Sequence, residues 1–173
     1  MHKAQRGFTI VELLIVIVVI GILAAITIVA YNGVQTRAKN VKTVNAAVSW
    51  IKVFKLYNAD KGTWPVNSSC LGSTTTYVGN GGQCWNDPYW VVKSPFLTEM
   101  SPYVSNYPEP DTTNVAGTAN TPRRGLLYAT DNSTYWYIYL LQLGTGSCPN
   151  IGLSVLTSGA ESNGSYCVYI LNS

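Results

Sequence analysis

Gly7-Phe8-Thr9-Ile10-Val11-Glu12-Leu13-Leu14 opens the stretch on which the reading of this chain turns, and Ile15 to Ile26 continues it. From Leu13 to Ile26 no side chain is polar, and the wider apolar segment, residues 8–30, has 23 residues. As a helix rising about 1.5 Å per residue it would measure about 35 Å, enough for a bilayer core of about 30 Å. A secretory signal peptide has an apolar core of about 7–15 residues, shorter than this one. A cut after Ala30 stays open on the small-residue rule alone, and a plain single-pass anchor fits the length as well. Neither accounts for Glu12, a carboxylate inside the apolar run.

Working outward, a short basic leader, Met1 to Arg6, precedes Gly7 and carries Lys3 and Arg6. On the other side Val34, Ala38, Val41, Val44, Val48, Ile51, Phe54 and Tyr57 follow steps of three and four. That spacing predicts an amphipathic helix with one apolar stripe turned to a core. Lys39, Lys42, Lys52 and Lys55 fall mostly off the stripe. Gly62 is a fitting stop, and Pro65 prevents the helix from resuming. The expectation is one helix of roughly 50 residues whose first half spans a membrane and whose second half carries a domain. Gly21 and Asn32-Gly33 are where a kink or local melting would be easiest.

The composition agrees with this division. Of 173 residues only 11% are charged and 47% are hydrophobic, against about 25% charged in an ordinary soluble domain. Beyond Gly62 the chain turns to Ser, Thr, Asn, Gly and Tyr, and the 12 tyrosines and 5 tryptophans of the whole chain supply core mass. The formal charge of +3 splits into a basic stretch, residues 35–62, and a mildly acidic remainder. Such a split suits contact between copies of one subunit, or it is a solvated helix face. No basic patch interleaved with aromatics argues for nucleic acid.

Four cysteines, Cys70, Cys84, Cys148 and Cys167, all follow the apolar segment. An even number there predicts two disulfides made outside the cytoplasm. Three connectivities are open, and Cys70–Cys84 with Cys148–Cys167 is favoured because each closes a short local loop. No pair has the close spacing of a zinc knuckle, and the only histidine is His2. Without a histidine beyond the leader there is no His-based triad or shuttle. Neither a cofactor nor a metal is implied, and no enzymatic activity is expected. Asp111 and Asp131 lie in loops but lack the run of acids that a calcium loop needs. Asn67, Asn132 and Asn163 head sequons of the kind a Ser/Asn-rich surface yields by chance.

Residues 63–125 read as a long connecting region with little regular structure, loosest at Gly79 to Gly82. Leu126 to Ala129 and Thr134 to Leu143, around a turn at Asp131-Asn132-Ser133, read as a hairpin, and Tyr166 to Leu171 as the last strand after a turn at Asn163-Gly164. The fold class is therefore α+β: a long N-terminal helix packed on a C-terminal antiparallel sheet, with disulfide-closed loops. The divisions are a leader 1–7, a membrane half of the helix 8–30, an amphipathic half 31–62, a loop-rich region 63–125 and a sheet region 126–173.

The leader, Gly7, Phe8-Thr9-Ile10-Val11-Glu12-Leu13-Leu14, Gly21 and the Ile22 to Ile26 run together closely resemble the N-terminal signature of type IV pilins. The likeness covers about 25 residues, and Tyr57 to Pro65 is similar to the way many pilins and pseudopilins end the long helix. The resemblance implies cleavage between Gly7 and Phe8 by a prepilin peptidase, which also methylates the new Phe8 amine. It implies a precursor held in the cytoplasmic membrane, leader inside and head outside, which an assembly platform in the membrane then adds to an extracellular filament, or fimbrium, of identical copies. Positive charges flank the apolar segment on both sides, so charge counting by itself does not settle that orientation.

A carboxylate at the depth of Glu12 costs roughly 2.5–3.5 kcal/mol on insertion scales. Glu12 either snorkels to the headgroups or, as the resemblance implies, meets the Phe8 amine of a neighbouring copy and sets the register of assembly. Val29 stands where the family usually has a helix-breaking proline, so melting of the helix near Gly21 is in doubt. A filament subunit would serve adhesion, twitching motility or DNA uptake, with its surface or DNA ligand unknown. The alternatives are a pseudopilin of a type II secretion or competence system, or a minor tip pilin acting as a membrane-tethered binding module.

Overall fold

The computed structural model describes residues 7–79, 82–85, 90–118, 121–131 and 134–171. The leader Met1 to Arg6, Asn132-Ser133 with the Asn132 sequon, and the middle of the Gly79–Gly82 segment lie outside them. The chain forms two compact units, Met1–Thr36 and Arg37–Ser173.

Helix α1 runs Ile10–Lys61, 52 residues, and its residues up to Thr36 make up most of the first unit. Here the apolar side chains from Ile10 to Val29 are all exposed, Ile10 at 87% and Val29 at 75% among them. The helix is unbroken through Gly21 and through Asn32-Gly33. The Thr27 hydroxyl donates back to the Ala24 carbonyl at 2.9 Å, so this polar side chain satisfies itself on its own helix.

In the second unit α1 lies on a sheet and ends where the sequence provides a stop. Gly62 has φ 70° and donates its N–H to the Asn58 carbonyl at 2.8 Å, the left-handed cap that glycine adopts without steric cost. The buried face comprises Thr43, Ala46, Ala47, Trp50, Ile51, Val53, Phe54 and Tyr57. The expected stripe is corrected here: Ile51, Phe54 and Tyr57 are buried and Val44 and Val48 half-buried, but Val34, Ala38 and Val41 are exposed. Size explains the rotation. An aromatic ring buries about 150–250 Å², far more than a valine, so the helix turns to bring Trp50 inside. Trp50 packs against Phe54 and Phe96 at 5.7 Å and stacks on Tyr107 at 6.0 Å, while Phe54 meets Tyr128 at 4.7 Å. Its indole N–H donates to the Pro108 carbonyl at 2.9 Å, which satisfies the one polar atom taken into the core.

Residues 63–125 hold more regular structure than their composition suggests. Strand β1 (Ser69–Cys70), helix α2 (Ser94–Met100) and a small hairpin of β2 (Ala116–Gly117) and β3 (Pro122–Arg123) are built there. Pro95 starts α2, where its missing N–H does no harm, and the helix buries Phe96, Leu97 and Met100. Strands β4 (Leu126–Asp131), β5 (Tyr135–Leu143), β6 (Ser154–Glu161) and β7 (Gly164–Ile170) complete the chain. With β1 they form one antiparallel sheet in the order β1-β4-β5-β7-β6. Leu126, Tyr128, Ile138, Leu140, Cys167 and Tyr169 turn to the helix side and share its core. On the opposite face Leu127 and Ala129 pack under Cys70, Tyr77 and Cys84.

Two fastenings set the sheet against the helix and pin its last hairpin. The Asn40 amide donates to the Leu143 carbonyl at 2.9 Å and accepts the Leu143 N–H at 2.8 Å, closing the end of β5 onto α1. On β6, a Cβ at Gly159 would lie 2.6 Å from the Tyr166 ring, so the ring covers the glycine across the ladder and holds the register. Strand β6 itself escaped the sequence reading. Ser154 to Ala160 is mostly polar or small, and only pairing with β7 makes it a strand.

Candidate functional site

The start of α1 gathers Gly7, Phe8, Thr9 and Glu12. Gly7 to Thr9 is not helical, and Phe8 is 81% exposed, so the Gly7–Phe8 peptide lies open. The helix begins at Ile10 because Thr9 and Glu12 cap it reciprocally. The Glu12 N–H donates to Thr9 Oγ1 at 3.2 Å, and the Thr9 N–H donates to Glu12 Oε2 at 2.9 Å. The Thr9 hydroxyl also donates to Oε2, at 2.7 Å. This is a capping box, in which two otherwise unsatisfied N–H groups find partners. Its signature, Thr followed three residues later by Glu, is legible in the sequence. Oε2 is thereby committed within the chain, whereas among the described residues Oε1 accepts no hydrogen bond.

Away from this site, Cys70 is joined to Cys84 and Cys148 to Cys167, with Cα atoms 5.8 and 5.7 Å apart. The first bond does more than tie a loop. Both of its cysteines are fully buried, Cys70 lies on the sheet itself, and Arg124 holds the loop beyond by donating to the Gln83 carbonyl at 3.0 Å. Asp111 and Asp131 accept backbone N–H groups from Thr113 and Tyr135 in their own turns, as loop carboxylates do. Asn67 donates to Glu99 at 3.3 Å, and the Asn163 N–H donates to the Val115 carbonyl at 2.9 Å.

Arg37, Lys42, Lys52 and Lys55 stand exposed on α1. Among the described residues the ion pairs are Lys61–Asp60, at 3.0 Å, and Arg123–Glu161, so these four cations form none. Near the end of the helix burial pushes the Tyr57 hydroxyl up to about 12, helped by its hydrogen bond to Glu99. Burial likewise raises Tyr169 to about 12, and raises Tyr77 and Tyr128 further.

An open N-terminal segment, an exposed apolar helix and an α+β head closed by disulfides are the features that define the class of protein to compare. Comparison with known proteins narrows it. The prokaryotic N-terminal methylation motif matches residues 2–28. The chain is 38% identical over 79 residues to the fimbrial protein EcpC of Eikenella corrodens, covering 46% of this chain and 52% of that one. It is 36% identical over 72 residues to the type IV major pilin protein PilE1 of Neisseria gonorrhoeae, covering 42% and 44%. To the type II secretion system core protein G of Dickeya chrysanthemi it is 32% identical over 73 residues, covering 42% and 48%. The chain spans about half the length of the curated relatives it matches. No solved structure matches. In its motif, in these relatives and in its α+β architecture the chain is similar to the type IV pilins.

Proposed function

We propose that this chain is a structural subunit that polymerises through residues 8–30 into an extracellular filament. The leader through Gly7 is removed by a prepilin peptidase and the Phe8 amine is methylated. Until then residues 8–30 hold the precursor in the cytoplasmic membrane, leader inside and head outside. α1 is long and apolar enough for that by length and composition. A membrane platform then transfers the segment from lipid into a bundle of like helices. In the bundle Glu12 meets the Phe8 amine of a neighbouring copy, which cancels two costly charges and sets the axial step. The observation that carries this reading is the carboxylate itself: in an apolar segment, one oxygen caps its own helix and the other is left to accept. Adhesion, surface motility and DNA uptake are the uses open to such a filament.

The capping box supplies a test that separates local from intermolecular work. Glu12→Gln keeps the cap, because glutamine serves in the same box, but removes the charge. Glu12→Val removes both. Both variants are expected to insert and be processed, and both to lose surface filaments, since a buried charge left unpaired costs about 3–5 kcal/mol at each addition. Filaments are counted by electron microscopy and by sedimentation of sheared material. Normal filament numbers in Glu12→Gln would reduce Glu12 to a helix cap. The likeness to a type II secretion protein supports a second reading, a pseudopilin. Long filaments sheared from the outer surface speak for the first, and short assemblies confined to the envelope for the second.

A further inference from the structure

We propose that the free edge of β6 docks a second copy of this chain, pairing antiparallel with that copy's own β6 and so joining subunits of different filaments. The proposal rests on the filament reading above.

β6 is the last strand of the sheet and pairs with β7 on one side only. Among the described residues its backbone has no other partner. From Ser154 to Ala160 it carries no charge and no proline, and Val155 and Leu156 are 47% and 55% exposed. Edges of this length are ordinarily guarded by lysines, prolines or a covering loop. Its guards are Glu161 at the far end, paired with Arg123, and an irregularity at Leu156, where the register with β7 shifts between Val155 and Thr157. Beyond it Thr157, Ser158, Gly159 and Ala160 are small and neutral, so another backbone can approach.

The opposite edge of the sheet is closed. β1 is two residues long, Cys70 donates its N–H to the Val91 carbonyl at 3.1 Å, and Ser69 Oγ accepts the Lys93 N–H at 3.0 Å. A second copy therefore offers one long bare edge of this sheet, its own β6. Pairing of like antiparallel edges is a two-fold contact. Copies stacked along one filament are related head to tail by a screw operation, and a filament whose helices all point one way contains no two-fold axis. Edge-to-edge pairing of β6 thus links one filament to another, and its consequence is lateral bundling.

The test reads hydrogen exchange along β6 in filaments of the full chain, dispersed at low concentration and bundled at high concentration. Those amides of residues 157–161 that point away from β7 are expected to exchange at least about tenfold more slowly in bundles. Thr157→Lys and Ser158→Lys place a charge on either face of the strand, since neighbouring residues alternate. Both are expected to give filaments in normal number that stay single and sediment only at high speed. Equal exchange in bundled and single filaments overturns the proposal. So does protection of β6 already in single filaments, which would assign the edge to a contact within the filament or to a peptide of another protein. If the chain makes no filaments, the filament reading fails separately, and full-length protein in detergent micelles still decides the edge. Protection of β6 that rises with protein concentration, and is lost in Thr157→Lys, supports pairing; exchange independent of concentration refutes it.

Discussion

The two halves of α1 are one helix in two chemical situations. In the first half Leu13, Leu14, Ile17, Ile20 and Leu23 are all more than half exposed. In the second Ala47, Trp50 and Phe54 are wholly buried. The second half is held by its own chain, through aromatic packing and through Asn40, Trp50 and Tyr57, which each bond to a later segment. In the first half, among the described residues, the large apolar side chains are exposed, a surface that lipid or other helices could cover. Stability of the head and competence to assemble are therefore expected to be separable by mutation along a single element.

Trp50→Ala should break this division most severely. It opens a cavity at the centre of the core and orphans the Pro108 carbonyl, and is expected to cost about 3–5 kcal/mol. Urea unfolding of the full chain in detergent, followed by fluorescence of the remaining tryptophans, measures it. Removing either disulfide by paired Cys→Ser changes should cost about 3 kcal/mol, because the closed loops are of similar length in the chain-entropy model. Cys148–Cys167 anchors the last strand, which by itself would make it the more important bond. The buried setting of Cys70–Cys84 on β1 makes the two comparable. A difference of more than about 1.5 kcal/mol between them, half the value the chain-entropy model assigns, would show that one bond dominates.

A smaller and graded effect is expected with pH. Tyr57, Tyr77, Tyr128 and Tyr169 hold their protons more tightly in the folded head than in the unfolded chain, chiefly because they are buried. Their contribution is complete below about pH 10, the unfolded tyrosine value, and is lost as pH rises through about 12. The urea midpoint should thus be level from pH 7 to 9 and fall above 10. A midpoint that rose in that range would show these hydroxyls ionised within the fold. Val18→Ala, in the other half of the helix, should change head stability by less than about 0.5 kcal/mol. A larger change would mean that the first half supports the head after all.

Much of this was legible from neighbouring residues alone. Gly7-Phe8, the apolar run and Glu12 carry the likeness to the N-terminal methylation motif. Gly62 and Pro65 end the helix where the structure ends it. The alternation from Leu126 to Leu143 declares a hairpin, and β4 and β5 form it. Even the Thr9–Glu12 cap lies within one turn. These are signals between residues close in sequence, where spacing and chirality decide. Three features were settled only by pairing and packing partners that the spacing of residue types does not announce. The buried face of α1 turned away from Val34, Ala38 and Val41 because Trp50 gains more from Phe96 and Tyr107, partners from a region whose composition reads as loop. β6 became a strand because β7 presents it a ladder and Tyr166 a ring to lie under, not because its Ser, Thr and Gly residues prefer one. The strand order β1-β4-β5-β7-β6, and with it which edge is closed and which is bare, follows from where the chain finds hydrogen-bond partners across tens of residues. Local periodicity states how much apolar surface an element has, and tertiary packing decides which part of it is worth burying.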